Sequence, residues 1–336
     1  MLLLTFAISI FTFLSAFAYA DDGINTLDYS TAIYDKLVEL GDLNQVAYCI
    51  QELDRDAFKT GEFSCAIDYC SQHQNIDVLK IFVAPGNESG SGYILVDNTD
   101  KRILVVFRGS QTIFDWIADL TFIATPYTPL TTDGQSNYTC TDCYCHHGFY
   151  ETLKQFSDEV FPFVKELKEG NYSDYQVVTT GHSLGGALTT LAGIEFLLMG
   201  YDPLVISLAG PKAANDKLAE YINNIFDTDS VISDIVAGKD VISGAYLRAV
   251  HSGDVVPLLP PTSYFWHAGA EFFIDKFALP FPKSVVYFRG DYDYETITQS
   301  ELTSYIKVHN VLFIYDHISY FVSMAKCIVA DVFTLF

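Results

Sequence analysis

The run Tyr175–Gly186, YQVVTTGHSLGG, constrains this chain more than any other stretch of its sequence. Val177 and Val178 favour an extended strand. Residues 181–185 read as a turn, and residues 184–199 follow with helix formers, three glycines and no proline. Apolar side chains run almost all round that helix, as expected of one sandwiched between layers rather than facing water. A serine at the apex of so sharp a turn needs Gly181 and Gly185 beside it, because side chains at those positions would clash. The turn lifts the Ser183 hydroxyl clear of the sheet and aims the first N–H groups of the helix at any negative charge developing there.

The surrounding pattern is that of an α/β fold. Residues 24–40 read as a first helix, with Ile33, Leu37 and Leu40 at helical spacing. Residues 78–83 and 92–97 read as short strands, and Arg102–Phe107, RILVVF, as a strand buried on both faces. A Thr/Pro-rich loop then runs through a cysteine cluster. Gly148–Leu167 reads as a helix with a kink or break at Pro162. Strands are expected at Leu204–Leu208, Tyr246–Val250 and residues 284–289, with Gly200 capping the helix that follows Ser183. Alternating strands and helices predict a mostly parallel central sheet with helices on both faces. Ligands of such sheets sit beyond the carboxyl ends of the strands, where Ser110, Ser183 and Asp254 all fall.

Residues 1–20 carry no charged side chain and end in Ala18-Tyr19-Ala20, the pattern of a signal peptide cut after Ala20. Residues 21–336 then form a single domain, since no linker, repeat or low-complexity tract divides them. A secretory route makes the sequons at Asn87, Asn137 and Asn171 usable for glycosylation. No later stretch is long and apolar enough to span a bilayer. Nineteen basic residues against 42 acidic ones give a net charge of −23, which disfavours nucleic acid and anionic head groups as partners. No obligate protein partner is evident.

Seven cysteines in a secreted chain read first as disulfides. The pairing is open, but the spacing suggests short clips at Cys65–Cys70 and Cys140–Cys143, with Cys49 and Cys327 tying the start of the domain to its end. Cys145 is left over. The rival for CTDCYCHH is a zinc site on Cys140, Cys143, Cys145, His146 and His147. An oxidising compartment sets disulfides in competition for the same sulfurs, so no metal and no other cofactor is expected.

A serine hydroxyl needs a base to take its proton, and the base needs a carboxylate to fix its tautomer. The histidines after the helix are His251, His267, His309 and His317. His251 shares a turn with Asp254 and is poorly sited to reach Ser183 as well. His317, in DHISYF, is preferred over His309, and it opens an apolar segment that reads as helical. Asp254 is the preferred acid over Asp291, Asp293 and Asp316. Phe114, Trp116, Ile117, Val255, Val256, Leu258 and Leu259 would give the site an apolar lining, although ordinary core must claim several of them.

TGHSLGGA at Thr180–Ala187, VVFRGS at Val105–Ser110, HSGDVVPLLP at His251–Pro260 and DHISYF from Asp316 occur in this order. Together they resemble the class 3 lipases, the secreted fungal triacylglycerol lipases, and especially their yeast branch. The resemblance implies an α/β-hydrolase fold and a catalytic domain over residues 21–336. It implies Ser183 as nucleophile, Asp254 as acid and His317 as base. Ser110 and the Leu184 N–H would hold the oxyanion, and the stretch after Ser110, with Trp116, would form a short helical lid. The three disulfide pairs also resemble the yeast branch, from which Cys145 departs. The expected partners are a lipid–water interface and an ester substrate. Feruloyl esterases share the triad behind a more polar lid, and phospholipids or partial glycerides are further candidate esters. A catalytically idle binding or adhesion protein would predict a broken triad or a missing oxyanion hydroxyl, and neither is seen.

Overall fold

The computed structural model of the chain describes residues 27–49, 76–83, 90–110, 122–261, 263–291 and 312–327. Its elements are, in chain order, α1 Thr31–Tyr48, β1 Ile76–Val83, β2 Ser91–Asp97, β3 Arg102–Phe107, β4 Ala124–Pro126, α2 Thr132–Asn137, β5 Tyr144–His146, α3 His147–Glu169, β6 Gln176–His182, α4 Leu184–Leu198 and β7 Leu204–Leu208. There follow β8 Ala214–Asn215, α5 Asp216–Ile225, α6 Thr228–Val236, β9 Ala245–His251, β10 Phe265–Trp266, β11 Ala270–Ile274, β12 Val286–Gly290, α7 Leu312–His317, β13 Ser319–Tyr320 and β14 Val322–Ser323.

Among these residues one sheet has eight strands in the order β1-β2-β3-β6-β7-β9-β11-β12. The pairs from β3 through β6, β7 and β9 to β11 are parallel. Antiparallel pairs close both edges, β1 and β2 at one and β12 at the other. The reason lies in the side chains. On β3, Leu104 and Val106 pack into one apolar layer while Ile103, Val105 and Phe107 pack into the other, so no face of the strand is left for water. The first layer includes α1, through Ile33, Leu37 and Leu40, and α6, through Val231 and Ile235. The second includes α3, α4 and α5. The helix that follows Ser183, α4, is thus packed between the sheet and α3, as its all-round apolar surface required.

Several elements differ from the sequence expectation. The first helix starts at Thr31, capped by Ser30 Oγ on the Ile33 N–H, and continues through Gly41 to Tyr48. Gly41 stays helical because the chain at Tyr320 packs against it: a Cβ there would stand 3.0 Å from the Tyr320 carbonyl oxygen. α3 likewise runs through Pro162 without a break. The Thr/Pro-rich loop contains α2 and two strands of a second sheet, ordered β10-β8-β5-β4. His317 ends a short helix instead of opening one, because the chain reverses at Phe321, with φ of 66°, into the β13–β14 hairpin.

Cys140 and Cys143 form a disulfide, and Cys145 is a buried free thiol whose Sγ faces the Thr125 carbonyl oxygen at 3.8 Å. Cys49 is disulfide-bonded, while the Cys65–Cys70 pair and the Cys327 side chain lie outside the described residues. Residues 1–20, expected to be a signal peptide, and the Asn87 sequon lie outside them too. Asn137 and Asn171 are exposed. No helix among the described residues is long and apolar enough to cross a membrane.

Candidate active site

β3, β6 and β9 run parallel, so their carboxyl ends share one edge of the sheet. Ser110 follows the end of β3, Ser183 the end of β6 and Asp254 the end of β9. Ser183 has φ 61° and ψ −126°, a backbone conformation that is costly for a residue with a side chain and is held by its surroundings. Those surroundings are tight. A Cβ on Gly181 would meet the Gly185 carbonyl oxygen at 2.0 Å, and a Cβ on Gly185 would meet that of Phe107 at 2.1 Å. The strand, the turn and the helix touch backbone to backbone, which no larger residue permits. The Ser183 N–H donates to the Leu208 carbonyl on β7 at 3.0 Å, which locks the turn to the next strand.

The loop after β3 abuts this turn. A Cβ on Gly109 would stand 2.9 Å from Ser183 Cβ and 2.6 Å from the His182 carbonyl oxygen. Ser110 is the next residue, and it is buried. Leu184 opens α4, where the first N–H groups of a helix lack internal acceptors. Ser110 and the head of α4 therefore supply donors beside the serine.

Asp254 and His317 meet from distant parts of the chain. His317 Nδ1 lies 3.0 Å from both carboxylate oxygens of Asp254. Asp254 Oδ1 also accepts the Val256 N–H at 2.9 Å, and Oδ2 accepts the Tyr320 hydroxyl at 2.7 Å. These contacts fix the plane of the carboxylate and, through it, the imidazole. His317 Nε2, Ser183 Oγ and Ser110 Oγ are all buried, and none has a hydrogen-bond partner among the described residues. Three buried polar atoms on the residues singled out from the sequence thus stand uncommitted among the described residues.

The neighbouring ionisable groups have distinct states. Burial holds His182 well below the ordinary imidazole value, and the nearby His317 adds to the effect. Burial, together with the charge of Asp254, pushes Asp316 up to about 8, so its carboxyl keeps a proton at neutral pH. Asp316 is therefore a poor rival to Asp254 for the acid.

The other candidate bases are engaged elsewhere or lie outside the described residues. His251 faces the Asp316 carbonyl oxygen with Nδ1 and the Lys276 carbonyl oxygen with Nε2. His267 Nε2 faces the Pro257 carbonyl oxygen at 2.7 Å. His309 is outside the described residues, as are Phe114, Trp116, Ile117 and Asp293. Val255, Val256 and Leu259 are buried beside Asp254, and Leu258 packs against Val250 and Phe273. Tyr320 was not singled out from sequence, although it stands only three residues past His317.

Where carboxylates cluster, at Glu39, Asp97 and Asp100, the Arg102 guanidinium already supplies the positive charge, pairing with Glu39 at 2.5 Å, with Asp100 at 3.2 Å and with Asp97. In the cysteine cluster the Cys140–Cys143 disulfide has consumed two of the sulfurs that a zinc site would need.

A serine on a strand–helix turn above a mostly parallel sheet, with helices on both faces, defines an α/β-hydrolase. The description Lipase (class 3) matches residues 104–264 of the chain. A Saccharomyces cerevisiae lipase-like protein, LIH1, is 31% identical over 325 residues, covering 90% of this chain and 97% of its own length. The secreted mono- and diacylglycerol lipase A of Penicillium cyclopium is 30% identical, with 80% of each chain covered. The crystal structure of the Lip2 lipase of Yarrowia lipolytica superposes with a TM-score of 0.73 at 27% identity, covering 90% of this chain and 98% of that one. The chain belongs to the class 3 lipase family, and so to the lipase and esterase hydrolases.

Proposed function

We propose that the chain is a secreted serine lipase that hydrolyses carboxylic ester bonds of triacylglycerols through an acyl-enzyme. Ser183 is the nucleophile, His317 the base and Asp254 the acid, with Ser110 and the Leu184 N–H as oxyanion donors. The observation that carries the reading is the position of His317, whose Nδ1 is held by Asp254 while its Nε2 and the Ser183 hydroxyl are both buried and without a partner among the described residues.

In this reading His317 takes the proton of Ser183 as Oγ attacks the ester carbonyl. Asp254 holds the proton on Nδ1, so that Nε2 is the free base, and it stabilises the imidazolium that forms. The oxyanion is met by the Ser110 hydroxyl and the head of α4, each such donor contributing ~3 kcal/mol in the transition state. His317 then protonates the departing alcohol. The acyl group stays on Ser183 until water, activated by the same imidazole, releases the fatty acid and returns the proton to the serine.

Residues 21–336 form the single catalytic domain, released after a leader at 1–20 is removed. The names of secreted fungal relatives support an extracellular location. The lid assigned by this reading is Thr112–Leu120, with Phe114, Trp116 and Ile117, together with Val255 and Leu258, as its substrate-binding residues. Partial glycerides are the second reading for substrate, because four of the similar proteins are named as mono- and diacylglycerol lipases.

The test is a panel of emulsified triglyceride, diglyceride, phosphatidylcholine, methyl ferulate and p-nitrophenyl esters, run with the wild type and Ser183→Ala. Triglyceride turnover that disappears in Ser183→Ala supports the proposal. Turnover confined to methyl ferulate or phosphatidylcholine, or an organophosphonate adduct on a residue other than Ser183, overturns it.

A further inference from the structure

Two buried histidines stand beside the catalytic groups without a part in the proton transfers. His182 is the last residue of β6, directly before Ser183, and His251 is the last residue of β9, three before Asp254. His182 Nε2 lies 2.8 Å from the backbone carbonyl oxygen of His317. His251 Nδ1 lies 2.8 Å from the backbone carbonyl oxygen of Asp316. The two acceptors are consecutive carbonyls at the end of α7, where a helix has no further turn to satisfy them. Imidazole nitrogens from two strands of the main sheet face them in place of that missing turn.

Resting on the triad reading above, we propose that His182 and His251 are positioning residues that clamp the backbone of the catalytic base. Each strand that carries one of the base's partners also presents an imidazole nitrogen, in this proposal the donor, to the peptide on either side of the His317 α-carbon. The three triad members are therefore registered against each other through the sheet, and α7 does not set the base by its own packing alone.

The surroundings of both rings fit this role. The Tyr48 hydroxyl stands 2.6 Å from His182 Nδ1. A phenol donating there leaves the ring's proton on Nε2, the atom that faces the His317 carbonyl. Burial keeps His182 neutral, so it has a single N–H to give, and that one is committed. The rings of His182 and His317 are 4.8 Å apart, so a second cation here would oppose the imidazolium that the reaction forms. His251 also faces the Lys276 carbonyl oxygen at 2.7 Å, and its backbone N–H donates to the Tyr320 hydroxyl at 2.9 Å, which itself donates to Asp254. Misplacing a catalytic group by about 1 Å costs roughly a hundredfold in rate, which is the scale of error the clamp guards against.

The test exploits the fact that a Gln amide mimics the Nε2 position of histidine while an Asn amide mimics Nδ1. His182→Leu, His182→Gln, His182→Asn, His251→Leu, His251→Asn and His251→Gln are compared on a soluble p-nitrophenyl ester, with rates of organophosphonate labelling of Ser183 and thermal midpoints measured in parallel. Both Leu variants are expected to lose roughly tenfold or more in kcat with KM changed less than about twofold. His182→Gln and His251→Asn, which return a donor to the right atom, are expected to recover most of that loss. His182→Asn and His251→Gln are expected not to. Should the Leu variants fail to fold, the Gln and Asn pairs still carry the comparison. Equal kcat for Gln and Asn at either site, or losses that only track the folded fraction, overturn the clamp. Ser183→Ala and His317→Ala run beside them: turnover surviving in His317→Ala overturns the triad reading and the clamp with it. An inactive His317→Ala beside fully active Leu variants overturns the clamp alone.

Discussion

The Tyr320 hydroxyl donates to Asp254 Oδ2 at 2.7 Å while accepting the His251 backbone N–H at 2.9 Å. Tyr320→Phe keeps the ring packing and removes both bonds. The buried His251 N–H is then left without an acceptor, a cost of about 1–3 kcal/mol in stability. The Asp254 carboxylate is freer to rotate under His317, so kcat should fall roughly threefold to thirtyfold with little change in KM. Urea unfolding and steady-state kinetics on a soluble ester check both halves. An unchanged kcat would show that the other contacts of Asp254 suffice.

Asp254→Asn presents an amide to His317 in place of a carboxylate. An Asn that donates to Nδ1 stabilises the tautomer with the proton on Nε2, where the base is needed free. The expected loss is roughly 10⁴-fold in kcat with the thermal midpoint nearly kept. A loss below about tenfold would point to a different acid.

Glu195 lies fully buried on α4 and accepts from the Tyr127 hydroxyl at 2.7 Å, the Leu130 N–H at 2.9 Å, and the Thr131 N–H and hydroxyl, each at 3.2 Å. Burial still holds its carboxyl above the ordinary range, against the pull of these donors. Glu195→Gln replaces one accepting oxygen with an NH₂ that faces donors. We expect about 1–3 kcal/mol of destabilisation, read as a lower denaturation midpoint, with kcat of the folded fraction retained. No change in the midpoint would mean that the amide finds acceptors by shifting the loop.

Asp316 sets a pH dependence. Its value in the folded protein, about 8, lies above that of an unfolded carboxyl, so the folded state holds the proton more tightly. The stability this gives is complete below the ordinary carboxyl range and is lost as pH climbs through about 8. Asp316→Asn removes the titration. Its urea midpoint should therefore fall less than that of the wild type between acidic and alkaline buffer. Parallel pH profiles for the two proteins would contradict the assignment.

Gly185→Ala tests the elbow itself. The new Cβ would stand 2.1 Å from the Phe107 carbonyl oxygen and 3.0 Å from the Arg108 carbonyl carbon, neither of which is a flexible side-chain end. Loss of soluble expression, or destabilisation of roughly 3 kcal/mol or more, is expected. A well-folded variant with normal phosphonate labelling would mean that β3 can move away from the turn.

The middle of the main sheet was legible because its strands are buried on both faces and so read as apolar runs: RILVVF and LVISL coincide with β3 and β7. The turn at Ser183 was legible because it demands glycine where the chains meet backbone to backbone. The second sheet was not, since its strands are two or three residues long, too short to show a period. They pair across long gaps, as Cys145 does with Ala214. The end of α1 was hidden by Gly41, whose lack of a side chain serves packing against the hairpin and not a turn. Tyr320 and the gripping role of His182 and His251 are matters of contact between residues 65–135 positions apart, which local pattern does not carry.

The odd sulfur of the cysteine cluster has a chemical consequence. Exchange between a thiol and a neighbouring disulfide needs a thiolate with access to sulfur. Burial pushes the Cys145 thiol well above its usual value, and the fold hides it beneath β4. A chain that oxidises while folding could trap the wrong pair among three sulfurs, at positions 140, 143 and 145, that lie within six residues. Once β4 and β5 have zipped together, Cys145 is chemically silent, and the Cys140–Cys143 clip is protected from scrambling by the same strands that build the small sheet.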